Sequence, residues 1–223
     1  MMNQRILAIA KMLEKGTCMA DIGTDHAKLP IYLVKNGIFE KAYACDIADG
    51  PLNIAKEAIA LDQLEDKIPC ILSNGFENVP NDIDACVFAG IGYYTARDVL
   101  DAAIDRLDSI EQIIVQVNND CDKLREYISE HEWTIVDEVL IKDRKHYYVA
   151  IKFSTKKHAP YTKKEQIIGP ILTEKGGDLF EEYALYKANK YALILKNRKI
   201  QDAKQEETQA MYDLWIQAAN EYK

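Results

Sequence analysis

Through its first 153 residues the chain alternates between two hydrophobic periods. Short apolar runs rich in β-branched residues occur at Thr17–Ile22, Ala42–Asp46, Ile68–Leu72, Ala85–Ala89 and Gln112–Gln116, each the length of a buried strand. Amphipathic stretches of helical length surround them: Gln4–Leu13, Leu29–Lys35, Leu52–Leu61, Thr95–Arg106 and Asp122–Glu130. Near-continuous apolar strands linked by helices predict an α/β fold with a parallel sheet covered on both faces. Pro51, preceded by Gly50, suits the first turn of the third helix. The final pair of runs, Thr134–Ile141 and His146–Phe153, is separated only by Lys142–Lys145, too short a link for a crossover helix, and so predicts an antiparallel hairpin.

Beyond Phe153 the pattern changes. Ser154–His158 is polar and basic, Pro160 and Pro170 bracket a short segment, and Gly176-Gly177 interrupts the chain again. Residues 1–155 are expected to form one domain and 156–223 a second, helical one. From Asp178 onward there is neither Gly nor Pro. Leu179, Tyr186, Leu193 and Ile200 recur every seven residues, while Phe180, Ala184, Tyr191 and Leu195 form a second apolar face, as in a helix packed on two neighbours. Met211, Leu214, Trp215, Ala218 and Tyr222 mark another stripe, predicting a helical hairpin that turns between Asn197 and Glu207.

Charge sharpens this division. The net charge of -8 is spread unevenly: residues 1–155 carry 16 Lys and Arg against 26 Asp and Glu, and residues 156–223 carry 12 against 10. An acidic body with a basic appendage suits an enzyme that handles nucleic acid, because phosphate neutralisation needs only a local cationic surface; a solvated lysine-rich helix face has the same composition. Lys156, Lys157, Lys163, Lys164, Lys187 and Lys190 are the candidates for phosphate contact. No apolar run approaches the length that spans a bilayer, and the apolar stretch Ile6–Ala10, stopped by Lys11, is too short for a signal-peptide core, so a cytoplasmic protein without membrane partners is expected. Cys18, Cys45, Cys70, Cys86 and Cys121 are odd in number and form no CxxC pair, which argues against disulfides and zinc. His131, His146 and His158 have no metal-ligand spacing either, so no metal is expected.

Candidate chemistry lies at the carboxyl ends of the strands, where open parallel sheets bind ligands. The first strand ends in Asp21-Ile22-Gly23-Thr24-Asp25-His26. A single Gly there is not the GxGxxG pyrophosphate cradle, which disfavours a dinucleotide. Acids suit a cationic ligand such as the sulfonium and amino groups of S-adenosylmethionine, although Asp25 would equally cap the next helix. Asp46, followed by Ile47, ends the second strand, where a carboxylate accepts hydrogen bonds from both hydroxyls of an adenosine ribose. Ser73-Asn74-Gly75 follows the third strand and would frame the adenine, or simply make a turn. Ala89-Gly90-Ile91-Gly92-Tyr93-Tyr94 follows the fourth; its glycines leave room for a flat base and its tyrosines offer stacking surfaces. A parallel sheet ending in a hairpin is the layout of class I methyltransferases rather than of a typical dehydrogenase.

On Asp21–Pro30, Gly50-Pro51-Leu52, Ala89-Gly90-Ile91-Gly92, Gln116-Val117-Asn118, Leu124-Arg125, the Glu138–Tyr148 hairpin, Tyr161-Thr162, Glu165 and Gly169-Pro170, the chain resembles the bacterial tRNA (adenine-22-N1)-methyltransferases along nearly its whole length. The resemblance implies a Rossmann-like S-adenosylmethionine domain followed by a coiled-coil-like helical domain that helps hold tRNA, and methyl transfer to N1 of a D-arm adenine. It departs from the family at Tyr93, where Gly-Met-Gly-Gly is usual, and at Val117, where Pro is frequent. The expected cofactor residues are Asp21, Gly23, Asp25, His26, Asp46, Ile47, Asn74, Gly75 and Ala89, and the expected acceptor-side residues are Gly90, Ile91, Gly92, Tyr93 and His26. The protein is expected to act as a monomer or weak homo-oligomer. The alternatives are a non-catalytic RNA- or nucleotide-binding protein and, less favoured, an NAD-dependent oxidoreductase.

Overall fold

The computed structural model describes residues 3–196 and 202–221. In chain order its elements begin with α1 (Gln4–Met12), β1 (Gly16–Ile22), α2 (Lys28–Lys35), β2 (Phe39–Asp46), α3 (Asp49–Leu61), β3 (Cys70–Leu72), β4 (Ala85–Ile91), α4 (Tyr93–Ala102), α5 (Ile104–Leu107) and β5 (Gln112–Val117). There follow α6 (Cys121–Glu130), β6 (Trp133–Asp143), β7 (His146–Lys157), α7 (Lys163–Ile168), α8 (Pro170–Lys175), α9 (Asp178–Leu195) and α10 (Asp202–Glu221). The chain divides into two compact units, Met1–Pro160 and Tyr161–Lys223.

In the first unit seven strands form one sheet in the order β3-β2-β1-β4-β5-β7-β6. The ladders from β3 to β5 are parallel, whereas β7 runs antiparallel to both β5 and β6. This is the doubly wound sheet with a terminal hairpin that the two hydrophobic periods predict. The order reverses between β1 and β4, and such a reversal opens a crevice at the carboxyl ends of the two strands. Ile9, Leu33 and Ile59 from α1, α2 and α3 join Met19, Ala42, Val87 and Ile114 in a core on one face of the sheet.

Local chemistry explains where elements stop. The third ladder begins at Cys70 rather than Ile68, because Pro69 has no N–H to donate; its carbonyl still accepts from the Ala44 N–H at 3.1 Å. The helix expected over Thr95–Arg106 is broken at Ala103. The turn carries Arg106 to the carbonyls of Val79 and Pro80, at 3.1 and 2.8 Å, with its guanidinium over the Phe76 ring. Strand β7 runs on to Lys157, so Lys156 and Lys157 sit at the end of the sheet rather than in a linker.

The second unit begins with a capping box: the Glu165 N–H donates to Thr162 Oγ1 at 3.3 Å, and the Thr162 N–H to Glu165 Oε2 at 2.7 Å. Helices α7 and α8 fill the segment bracketed by the prolines. Phe180, Ala184 and Ala188 of α9 are buried, as are Trp215, Ala218 and Ala219 of α10; the Tyr183 ring meets Trp215 edge-on at 5.5 Å. Of the two apolar faces expected on α9, Phe180 and Ala184 mark the covered one, whereas Leu179 and Leu193 of the other are exposed. The expected turn of the hairpin, Ile200 and Tyr222 lie wholly or partly outside the described residues.

Candidate active site

A cavity of about 520 Å³ opens at the reversal between β1 and β4, a size typical of small-ligand pockets. Strand ends supply most of its lining. Gly23 and Thr24 follow β1, and both donate their N–H groups to the Cys45 carbonyl, at 2.9 and 2.8 Å. These bonds hold the turn against β2, and Gly23 takes a φ of 78°, accessible to Gly without strain. Asp25, Asp46, Ile47, Asn74, Gly75, Ala89, Gly90 and Ile91 also line the cavity.

Carboxylates gather at the ends of β1 and β2. Asp21 is only 5% exposed and lies behind the wall, accepting a hydrogen bond of 2.7 Å from Thr24 Oγ1. Burial pushes its carboxyl up to about 6 against the opposing effect of the Thr24 bond, and the neighbouring charges of Asp25 and Asp46 raise it further. Asp46 Oδ1 accepts from the Ala48 N–H at 2.9 Å; its other oxygen has no hydrogen-bond partner among the described residues. Ser73 supports the next turn, its N–H donating to the Asp46 carbonyl at 2.9 Å and its hydroxyl to the Gly75 carbonyl at 2.9 Å. A Cβ on Gly75 would stand 2.6 Å from Val99 Cγ1, so this turn lies tight against α4.

The cavity wall also carries a cation that no motif signals. Arg5, near the start of α1, reaches the cavity wall, with its guanidinium 5.3 Å from the Tyr148 ring centroid. Its Nε is buried and without a partner among the described residues. A Cβ on Gly90 would lie 3.3 Å from its terminal nitrogens, and Gly90 has a φ of 85° where β4 bulges. Carboxylates and a guanidinium in one lining fit a ligand that carries both cationic and anionic groups.

Other expected residues stand elsewhere. His26 lines a separate groove of about 770 Å³ with Lys28 and Tyr32, and its Nε2 is 3.1 Å from Asp25 Oδ1. The reason is backbone geometry: His26 and Ala27 have φ values of 57° and 51°, two left-handed residues that turn the chain away from the cavity. Gly92 precedes α4 as its N-cap, and Tyr93 and Tyr94 occupy the first turn, outside the cavity wall. Their rings meet at 5.2 Å, Tyr94 is 55% exposed, and Lys123 Nζ donates to its hydroxyl at 3.0 Å. In the second unit Lys164 pairs with Glu221 at 3.0 Å, and Lys187 Nζ lies 5.3 Å from the Trp215 ring centroid. Lys190 stands over Tyr186 at 4.6 Å.

The family model of TrmK, tRNA (adenine(22)-N(1))-methyltransferase, matches residues 19–220. The chain belongs to this family. It is accordingly an S-adenosylmethionine-dependent tRNA methyltransferase, and tRNA is the substrate that membership implies. The methyltransferase is 30% identical over 185 residues to the tRNA (adenine(22)-N(1))-methyltransferase of Bacillus subtilis, covering 80% of this chain and 78% of that protein. Its fold matches M. capricolum TrmK, a structure in complex with S-adenosyl-homocysteine, with a TM-score of 0.88 at 30% identity over the full length of both chains. A Listeria monocytogenes protein without an assigned role matches with a TM-score of 0.91 at 26% identity, over 98% of this chain and 99% of that one. Among the described residues of the methyltransferase no helix is long and apolar enough to cross a membrane, and no group of acids, His and Cys is arranged to hold a metal.

Proposed function

We propose that the methyltransferase holds S-adenosylmethionine in the β1–β4 cavity and presents it to N1 of adenine 22 of tRNA at the Gly90–Gly92 rim. The observation that carries this reading is that Asp46, with one oxygen uncommitted, and Arg5, with its Nε unpartnered, line one cavity. Asp46 accepts from the ribose hydroxyls, beside Ile47 and the Asn74-Gly75 turn at the adenine. Asp25 lines the wall and Asp21 acts through Thr24, so their negative field favours the cationic methionine end, and Arg5 binds its carboxylate. When bound, the cofactor supplies an electrophilic methyl group on a sulfonium sulfur. Adenine N1 presents an in-plane lone pair, so the protein's task is alignment, and no general base is required before transfer. His26 therefore has a positioning role, holding Asp25 from the outer side of the loop.

Tyr93 and Tyr94 supply stacking surface for the unstacked base, which costs a few kcal/mol to extract from a folded tRNA. Lys156, Lys157, Lys163, Lys164, Lys187 and Lys190 meet phosphates, with the last two already seated on aromatic rings of their own unit. Incubation of unmodified tRNA with tritiated S-adenosylmethionine should incorporate label and create a reverse-transcriptase stop one nucleotide before adenine 22. Replacing that adenine by guanine should remove both signals. Cofactor and tRNA binding without any label on any tRNA would leave only a non-catalytic binding protein.

A further inference from the structure

At the rim of the cavity one side chain is fixed in orientation with its amide oxygen unused. Asn118 immediately follows β5 and is exposed. Its backbone N–H donates to the Ile91 carbonyl at 2.9 Å, and its Nδ2 donates to the Gly90 carbonyl at 2.7 Å. The two bonds clasp the loop after β5 onto the bulged end of β4. Because a carbonyl oxygen only accepts, the amide atom facing Gly90 must be the NH2 group, which fixes the assignment of the two amide atoms. Oδ1 then points the other way, with no hydrogen-bond partner among the described residues. Two residues further on, Asp120 has a φ of 58° and opens α6 without a side-chain cap, a left-handed conformation for a non-glycine residue of the kind that gathers at functional sites.

The rim where Asn118 is clasped is where Gly90 and Ile91 wall the cavity. A purine whose N1 is aimed into that cavity carries its C6 substituent beside N1. In adenine this is an amino group, a donor; in guanine it is a carbonyl oxygen, an acceptor, and N1 bears a proton. An oriented amide oxygen therefore matches adenine and opposes guanine. We infer that Asn118 Oδ1 accepts a hydrogen bond from the 6-amino group of the target adenine, which makes Asn118 a specificity-determining residue of the acceptor site. The inference rests on adenine N1 being the methyl acceptor.

The test is a double comparison of kcat/KM for tritiated methyl transfer, using wild type and Asn118→Ala on tRNAs with adenine or unsubstituted purine at position 22. Purine keeps N1 but lacks the 6-amino group, and its different basicity is the same for both proteins and cancels in the ratio. The preference of wild type for adenine over purine should shrink about tenfold in Asn118→Ala, the size of one neutral hydrogen bond. A role confined to clasping the two loops would slow both substrates alike and leave the preference unchanged, which overturns the inference while methylation by wild type still stands. If wild type binds S-adenosylmethionine but methylates neither tRNA, the proposed function falls and this assignment with it. Calorimetry with S-adenosylmethionine reports whether the variant keeps the cavity; if Asn118→Ala loses it, Asn118→Ser is measured in the same way.

Discussion

Asp21 holds a carboxylate in a place that disfavours its charge, and the consequence for stability is calculable. Its pKa is about 6 in the fold against 3.8 for the free side chain. Between these values the folded state keeps a proton that the unfolded chain has released. Stability therefore falls as pH rises through this window and levels off above it. A difference of about 2 units corresponds to about 3 kcal/mol at neutral pH, at 1.36 kcal/mol per unit. Asp21→Asn keeps an acceptor for the Thr24 hydroxyl and removes the charge. It should match wild type below about pH 4 and exceed it by about 3 kcal/mol above pH 7, or about 6 to 12 °C in Tm for a chain of this size. Urea midpoints at pH 4.5 and 7.5 measure the trend, and the advantage should grow by about 2 kcal/mol between them. The same variant should bind S-adenosylmethionine less tightly at pH 7.5. An advantage that does not change with pH, or a wild type that gains stability across the window, refutes the account of a charge held in place for function.

Removing the uncommitted acceptor with Asp46→Ala should weaken S-adenosylmethionine binding about 10- to 150-fold by calorimetry, the equivalent of about 1.5 to 3 kcal/mol; unchanged affinity would leave Asp46 only its turn with Ala48. Arg5→Met should lose affinity over the same approximate range for S-adenosylmethionine and none for its decarboxylated analogue. Equal losses for both ligands would make Arg5 a packing residue. Neutralising Lys163 and Lys164 together should lower the slope of log affinity for tRNA against log salt by about 0.7 to 0.9 for each phosphate no longer neutralised, with cofactor affinity unaltered. An unchanged slope would assign these lysines to a solvated surface.

Legible in the sequence are the features carried by periodicity within one segment. Strands β1, β2 and β5 stand close to their apolar runs, the four-residue link at Lys142–Lys145 forces the hairpin, and strand-end position singles out Asp46 and Gly90. What was hidden depends on packing between segments or on backbone angles without a residue signature. Arg5 belongs to a helix that precedes the first strand, and only the packing of α1 brings it to the wall beside Gly90. His26 and Ala27 adopt left-handed angles with no glycine to announce them, so a residue next to Asp25 in sequence faces another groove. The orientation of the Asn118 amide is set by a carbonyl 28 residues away. The break at Ala103 likewise reflects what Arg106 reaches, the carbonyls of a distant loop.

The two tryptophans of the chain are divided one to each compact unit. Trp133 is stacked on Phe153 at 5.6 Å in the first, and Trp215 lies beside Tyr183 and Lys187 in the second. The protein thus carries its own pair of separately addressable fluorophores. In the first unit the His131 ring also lies against the Trp133 indole, 4.5 Å between centroids. In the second unit the Lys187 ammonium stands over the Trp215 indole, so displacing it should change the emission of that unit. Single-tryptophan variants would report on the two units separately in one unlabelled molecule.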